Sequence, residues 1–239
     1  MNTEFDRAKA RAGSLSVAIM LAGAGGFLDG FTYVGHGHVF ANAMTANVVL
    51  LGAQCVTGAW GAVGRYAVPI AAFVAGVWAS QAIQLWARRG GAIAPYGAVT
   101  MLNVVVLVIL TFLPTTLDDL VFTSSVSFAA AVQMETYREV HGRSFGSTFT
   151  TGNLRTLANG IFTWLFDRRD AEAASIVKEF SAIIAAFVAG AIAGGFATKA
   201  FGNDGLWFDV GLLTLVALMV DRGESVGYLF RKARCRQTQ

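Results

Sequence analysis

Charge is what this chain has least of. Only 14% of its 239 residues are Asp, Glu, Lys or Arg, against roughly a quarter in an ordinary soluble domain. With 55% hydrophobic residues, that deficit argues against soluble globular packing. Cysteine is nearly missing too. Cys55 lies in an apolar stretch and Cys235 in a basic tail, so there is no disulfide framework and both read as free thiols. Histidine is confined to His36, His38 and His141, which read as turn residues. The His36-x-His38 spacing finds no carboxylate or Cys cluster to complete a metal site. No nucleophile–base constellation or phosphate-loop glycine pattern appears, so no enzyme is expected and no cofactor is implied.

What the chain does have is apolar runs long enough to cross a ~30 Å hydrocarbon core as helices. Six segments read as full spans: Leu15–Val34, Tyr66–Trp86, Pro95–Leu113, Val121–Tyr137, Ile176–Ala200 and Leu206–Val220. The N-terminus imitates a signal peptide, but with several spans downstream an uncleaved first helix is expected. The net charge of +3 is no nucleic-acid signature, because the basic residues cluster beside apolar segments. Arg7, Lys9 and Arg11 precede the first; Arg231, Lys232, Arg234 and Arg236 follow the last, in a tail covering 221–239. Such clusters stay cytoplasmic, so both termini are expected there.

The chain also repeats itself. Thr45-Ala46-Asn47 and Thr151-Gly152-Asn153 stand 106 positions apart, each preceded at 16 residues by an acid, Asp29 and Glu135. Downstream, Ala71–Gly76 and Ala185–Gly190 are the same hexapeptide. One membrane domain built of two copies follows, repeat one over about 13–113 and repeat two over about 119–220. The stripes Ala72-x3-Gly76-x3-Ser80 and Ala186-x3-Gly190-x3-Gly194 give each copy a smooth helix face for close packing.

Two further apolar stretches, Phe40–Trp60 and Ser147–Phe166, hold the boxes and carry polar residues throughout. If both cross, the chain has eight spans, and Arg88-Arg89 falls outside while Asp118-Asp119 falls inside. If both re-enter, six spans remain. Arg88-Arg89, Arg138, Arg143 and Arg168-Arg169 then lie inside and Asp118-Asp119 outside, with Lys199 the poor fit. The rule that short cytoplasmic loops are rich in Lys and Arg favours six. Three spans per copy invert the second copy, the construction of many transporters. The expected architecture is therefore all-α, with inverted repeats, about six spans and two half-helices, Val48–Trp60 and Leu154–Phe166.

Half-helix starts facing each other would present backbone N–H groups to a polar or anionic group. The expected substrate path runs along Asn42, Thr45, Asn47, Thr148, Thr151 and Asn153. The bland alternative is that Thr and Asn cap the helices or bond neighbouring ones. Asp29, Gln133, Glu135 and Arg155 are the intramembrane charged or polar residues that mark pathways, ion pairs or solvated helix ends. Arg155 has the apolar Val49 as its repeat mate; it either pairs with Glu135 or faces the path, the ion pair being favoured.

At these residues the chain resembles the YoaK-like family of bacterial multispanning membrane proteins of unknown function. The likeness rests on Gly26-Phe27-Leu28-Asp29, Asn42-Ala43-Met44-Thr45-Ala46-Asn47 within Phe40–Val49, Gln133, and Thr148–Leu154, and runs from Ala22 to Val220. Ala46 replaces an expected glycine and Met134 a frequent Asn. The resemblance implies a bacterial inner-membrane address and about six spans, and no substrate.

The leading expectation is a transporter or channel for a small polar or anionic solute, moving one repeat against the other. The alternative is a membrane-embedded scaffold or accessory subunit. A lipid-acting enzyme using Asp29 or Glu135 as base lacks a nucleophile. The expected partners are the lipid bilayer and a small solute; nucleic acid is not among them, and a homo-oligomer is compatible with the sequence.

Overall fold

The structure is a computed structural model that describes residues 8–88, 95–113, 119–167 and 170–221. Arg7, Arg89, Asp118, Arg168, Arg169 and the basic tail, all used above to orient the chain, lie outside the described residues. Helix dominates, in the order α1 (Leu15–Gly35), α2 (Met44–Val56), α3 (Trp60–Arg88), α4 (Pro95–Thr111), α5 (Asp119–Thr136), α6 (Thr151–Phe166), α7 (Ala171–Phe201) and α8 (Leu206–Asp221). Between α5 and α6 a small hairpin pairs β1 (Glu139–Val140) with β2 (Arg143–Ser144). Its turn, His141-Gly142, has positive φ at both residues, the backbone that tight hairpins favour.

Local chemistry explains the helix ends. Pro95 opens α4, where its missing N–H costs nothing. Asp170 caps α7, its Oδ1 accepting from the N–H groups of Glu172 and Ala173 at 2.9 and 3.0 Å. Gly202 ends α7 with φ +58°, and the short 3-10 turn Gly202–Gly205 leads straight into α8. Leu15–Gly35, Trp60–Trp86 and the stretch Ala171–Val220, which holds α7, the turn and α8, are long and apolar enough to cross a membrane. Trp78, Phe112, Phe162, Phe166, Phe196 and Phe208 are exposed apolar side chains on the outside of the bundle, which water would not tolerate in such number but lipid would. This is an all-α protein with the apolar helices of a membrane protein.

The half-helices begin earlier than the sequence suggests. α2 starts at Met44 rather than Val48, and α6 at Thr151 rather than Leu154. Each Thr-x-Asn box therefore lies in a first helical turn, not ahead of it. Neither α2 nor α6 has a side-chain cap bond at its N-cap residue, Ala43 or Thr150. At 13 and 16 residues, they run for ~20 and ~24 Å at 1.5 Å per residue.

The helices pack far apart in sequence. The most extensive interface joins α1 to α7; next come α3 with α5, and then α4 with α8. α2 lies on α3 and α6 on α7. The glycine stripes are what allow it. A Cβ at Gly26 or Gly30 would run into the backbone of Phe187 or Ala191, and one at Gly190 or Gly194 into that of Gly23 or Phe27. In the α3–α5 interface, a Cβ at Gly76 would meet the Phe128 carbonyl.

The ends of the bundle are identified by their contacts. At one end His36 meets Asp119 at 3.0 Å, and Asn203 donates to the Leu113 carbonyl at 3.3 Å. At the other, Arg11 donates to the Val220 carbonyl at 3.0 Å, and His141 N–H to the Gly13 carbonyl at 3.0 Å.

Gly194→Val should cost about 1–3 kcal/mol through overpacking, read as a lower melting temperature in detergent. Gly211→Ala, with nothing within 4 Å of the new Cβ, should leave it within about 0.5 kcal/mol. Equal behaviour of the two would remove the close approach as the organising contact.

Candidate functional site

The two Asn residues of the boxes do the same job at equivalent places. Asn47 Oδ1 accepts from Phe40 N–H at 3.3 Å while its Nδ2 donates to the Phe40 carbonyl at 2.6 Å. Asn153 Oδ1 accepts from Gly146 N–H at 3.1 Å, and its Nδ2 donates to the Gly146 carbonyl at 2.8 Å. Each amide clasps the backbone of the residue seven positions back. Both side chains are buried, so the clasp satisfies polar backbone that would otherwise be stranded in apolar surroundings. It also turns each incoming loop sharply into its half-helix.

The clasped loops meet the middle of α1. Asn42 Nδ2 donates to the Gly25 carbonyl at 2.7 Å, and Asn42 N–H donates to Asp29 Oδ1 at 2.8 Å. From the other copy, Ser147 and Thr148 lie so close that a Cβ at Gly25 would strike the Ser147 carbonyl. Ser127 Oγ of α5 donates to the Ala41 carbonyl at 2.9 Å. Between these loops is a small cavity of about 10 Å³, lined in part by Gly25, Asn42, Asn103, Gln133, Thr148 and Leu213. It has room for about one water molecule. Asn42 and Thr148 occupy equivalent positions in the two copies. Asn103 donates to Gln133 Oε1 at 3.0 Å. Asn42 Oδ1, Asn103 Oδ1 and Thr148 Oγ1 are buried without a hydrogen-bond partner among the described residues.

Of the residues proposed from sequence, Asn42, Gln133 and Thr148 line this cavity, and Asp29 lies beside it through the Asn42 backbone. Asn47 and Asn153 hold the loops. Thr45 and Thr151 are exposed on the first turns of their helices. The expected Arg155–Glu135 ion pair is not formed. Glu135 Oε1 instead takes Arg138 at 3.1 Å and the Gln81 amide, while Arg155 is exposed. Arg138, one turn beyond Glu135, is the nearer cation. The two acids have therefore diverged. Asp29 takes the Asn42 N–H of the loop that leads into α2, so it sits near the positive start of that helix; Glu135 faces a polar cleft.

That cleft has a volume of about 680 Å³ and opens at the Arg11–Val220 end, with Lys9, Gln84, Tyr96, Glu135, Tyr137 and Arg138 in its wall. A polar seam leads inward from it. The Tyr137 hydroxyl is 2.6 Å from Thr100 Oγ1 and 3.1 Å from the Tyr96 carbonyl. Gln133 precedes Tyr137 by one turn of α5, ~6 Å, and Asn103 follows Thr100 on the same face of α4. Beyond the cavity, the seam stops at stacked rings. Phe31 lies 5.8 Å from Phe27 and 6.0 Å from Phe122, with the His36 ring 3.6 Å from Phe122. Burial lowers the His36 pKa, opposed by its hydrogen bond and charge contact with Asp119.

Sequence reasoning missed Asn103, Thr100 and Asp209. Asp209 is 1% exposed, and neither carboxylate oxygen has a partner among the described residues. The available signal was an Asn and an Asp inside otherwise apolar helices. The histidines serve as contacts: His38 Nδ1 is 2.9 Å from the Tyr33 carbonyl, and His141 Nδ1 is 3.1 Å from Glu179 Oε1. Among the described residues no group of three or more His, Cys, Asp or Glu could hold a metal.

Asn47→Ala and Asn153→Ala each strand one buried backbone N–H and one carbonyl, so each should cost about 1–3 kcal/mol. Faster protease nicking at residues 40–43 or 146–150 would report the loosened loop. Unchanged stability and nicking in both would mean that the clasps hold nothing.

No curated protein and no solved structure matches the chain. The family model described as "Protein of unknown function (DUF1275)" matches residues 17–219, from the first turn of α1 to the last turn of α8. With nearly the whole bundle inside that match, the chain belongs to the DUF1275 family.

Proposed function

We propose that the protein is a membrane transporter or channel for a small polar solute, built as two inverted repeats with three spans and one half-helix each. The observation that carries this reading is the meeting of Asn42 and Thr148, equivalent residues of the two copies, at one buried polar cavity halfway along α1. Interrupted helices that point at a midplane cavity are how many transporters form their sites. Irregular backbone at that depth is tolerated only where protein or a cavity surrounds it. The loops at 36–43 and 145–150 have such surroundings, and α2 and α6 are shorter than a ~30 Å core.

The seam from the wide cleft, through Tyr137 and Thr100 to Gln133 and Asn103, supplies an entrance. The ring stack of Phe27, Phe31, Phe122 and His36 supplies a barrier opposite. A polar seam on one side of the cavity and stacked rings on the other correspond to one of the two states that alternating access requires. Lys9, Arg138 and Arg143 at the cleft end support a cytoplasmic cleft. The YoaK-like likeness and a bacterial inner membrane with both termini cytoplasmic go with this reading. None of the lining residues is Lys, Arg or His, which favours a polar over an anionic solute.

Two measurements test it. Proteoliposomes should take up at least one small polar solute from a broad panel, with uptake about tenfold slower in Gln133→Leu, a loss of roughly 1.4 kcal/mol in stabilisation of the passing solute. No uptake of any solute would leave the scaffold reading in its place. In a background lacking Cys55 and Cys235, Thr57→Cys and Asp167→Cys, at the far ends of α2 and α6, should react with impermeant thiol reagents from opposite faces. Labelling of both from one face would sink the inverted arrangement.

A further inference from the structure

The cavity's chemistry is one-sided. Asn42 cannot flip its amide, because the Gly25 carbonyl that it bonds can only accept. Its Oδ1 is therefore held as an oxygen with lone pairs to offer. With Asn103 donating its Nδ2 to Gln133 Oε1, its own Oδ1 is unpaired, and the Thr148 hydroxyl oxygen is unpaired as well. These three side chains are 4%, 3% and 1% exposed. Burying unpaired oxygens is costly, and a set of three around one small space is not what helix packing alone requires.

The field around them points the same way. No cationic side chain lines the cavity. The positive start of α2, which would otherwise attract an anion, is already met by the Asp29 side chain through the Asn42 N–H. Besides Gly25 and the Gln133 amide, the remaining walls, Leu28, Leu107, Ala129, Ala130 and Leu213, are apolar, and the space restricts the occupant to about the size of one water.

We infer that this cavity is a binding site for a monovalent cation of about water's size, an ammonium or alkali ion, held by Asn42 Oδ1, Asn103 Oδ1 and Thr148 Oγ1. Oxygen dipoles in place of a hydration shell are the recognised means of holding such ions at membrane depth. The inference deepens the transport reading by naming the solute class. It rests on that reading for movement of the ion, but not for binding.

The test is thermal stability of the purified full-length chain in detergent, in ammonium, potassium, sodium or choline chloride at constant ionic strength. At least one of the three small cations should raise the melting temperature saturably, by roughly 5 °C over choline. Exchanging chloride for nitrate or acetate with choline fixed should do nothing. Asn103→Leu should abolish the shift, and Thr148→Val serves the same purpose if that variant does not fold. Asn103→Asp keeps the shape, adds charge, and should lower the half-saturating cation concentration about tenfold. A flat response to all cations, a shift that follows the anion, or a shift that survives loss of these oxygens would overturn the inference. Cation binding without movement in proteoliposomes would defeat the transport reading alone. Uptake of a different solute without cation binding would defeat this inference alone.

Discussion

Backbone-to-backbone contact between α1 and α7, repeated between α3 and α5, is the constraint on which the rest of the structure depends. Lipid tails are as apolar as the helices, so burying leucines gives no advantage over leaving them in the bilayer. Close van der Waals approach must bind the helices, and it requires positions without a Cβ. Gly26, Gly30, Gly190 and Gly194 provide them in one interface and Gly76 in the other. Each interface joins helices far apart in sequence, so neither end of the chain completes its packing alone. Gly25 itself leaves room for Ser147.

On this frame the segments around the two Thr-x-Asn boxes share their geometry and differ in their chemistry. The Asn47 and Asn153 clasps are alike, reaching the same distance back along the chain to equivalent residues. The acids are not alike. Asp29 accepts from the loop that starts α2, whereas Glu135 turns to Arg138 and Gln81 at the cleft. One half-helix start is thereby matched by a carboxylate, and the other is left to Ser147 and Thr148, whose hydroxyls have no partner among the described residues. A pair of equal loops has become an unequal pair around one cavity.

Much of this was legible in the residues. The apolar runs marked the helices to within a few positions, except that α3 and α7 extend about one turn or more beyond Tyr66 and Ile176. The small-residue stripes on those two helices marked the interfaces, because spacing by four puts glycines on one face. The boxes marked the half-helices but not their function. Thr and Asn beside a helix start suggest a cap, and nothing local reveals that the amide instead reaches back seven residues. Asn103 was illegible for a different reason. A single polar residue in an apolar helix has no periodicity, and its meaning arises only when α5 brings Gln133 to face it. The Arg155 pairing failed because proximity along the chain to a box says nothing about which side of a helix a long side chain takes.

The contacts also change what can move under the proposed function. A rocking of one sequence repeat against the other would tear both glycine interfaces, since each crosses between the copies. The pieces that can stay rigid are α2 to α5, held by α3–α5, and α1 with α6 to α8, held by α1–α7. The structural halves are thus shifted by one helix from the sequence repeats. Between them lie α4 against α8, a slight contact of α1 with α5, and the two clasped loops. The cavity has Asn103 and Gln133 on one half and Gly25, Thr148 and Leu213 on the other. Separation along this boundary would part the Phe31–Phe122 stack while leaving the glycines in contact. An opening that preserves the tight interfaces and breaks only the looser ones is the one the packing favours.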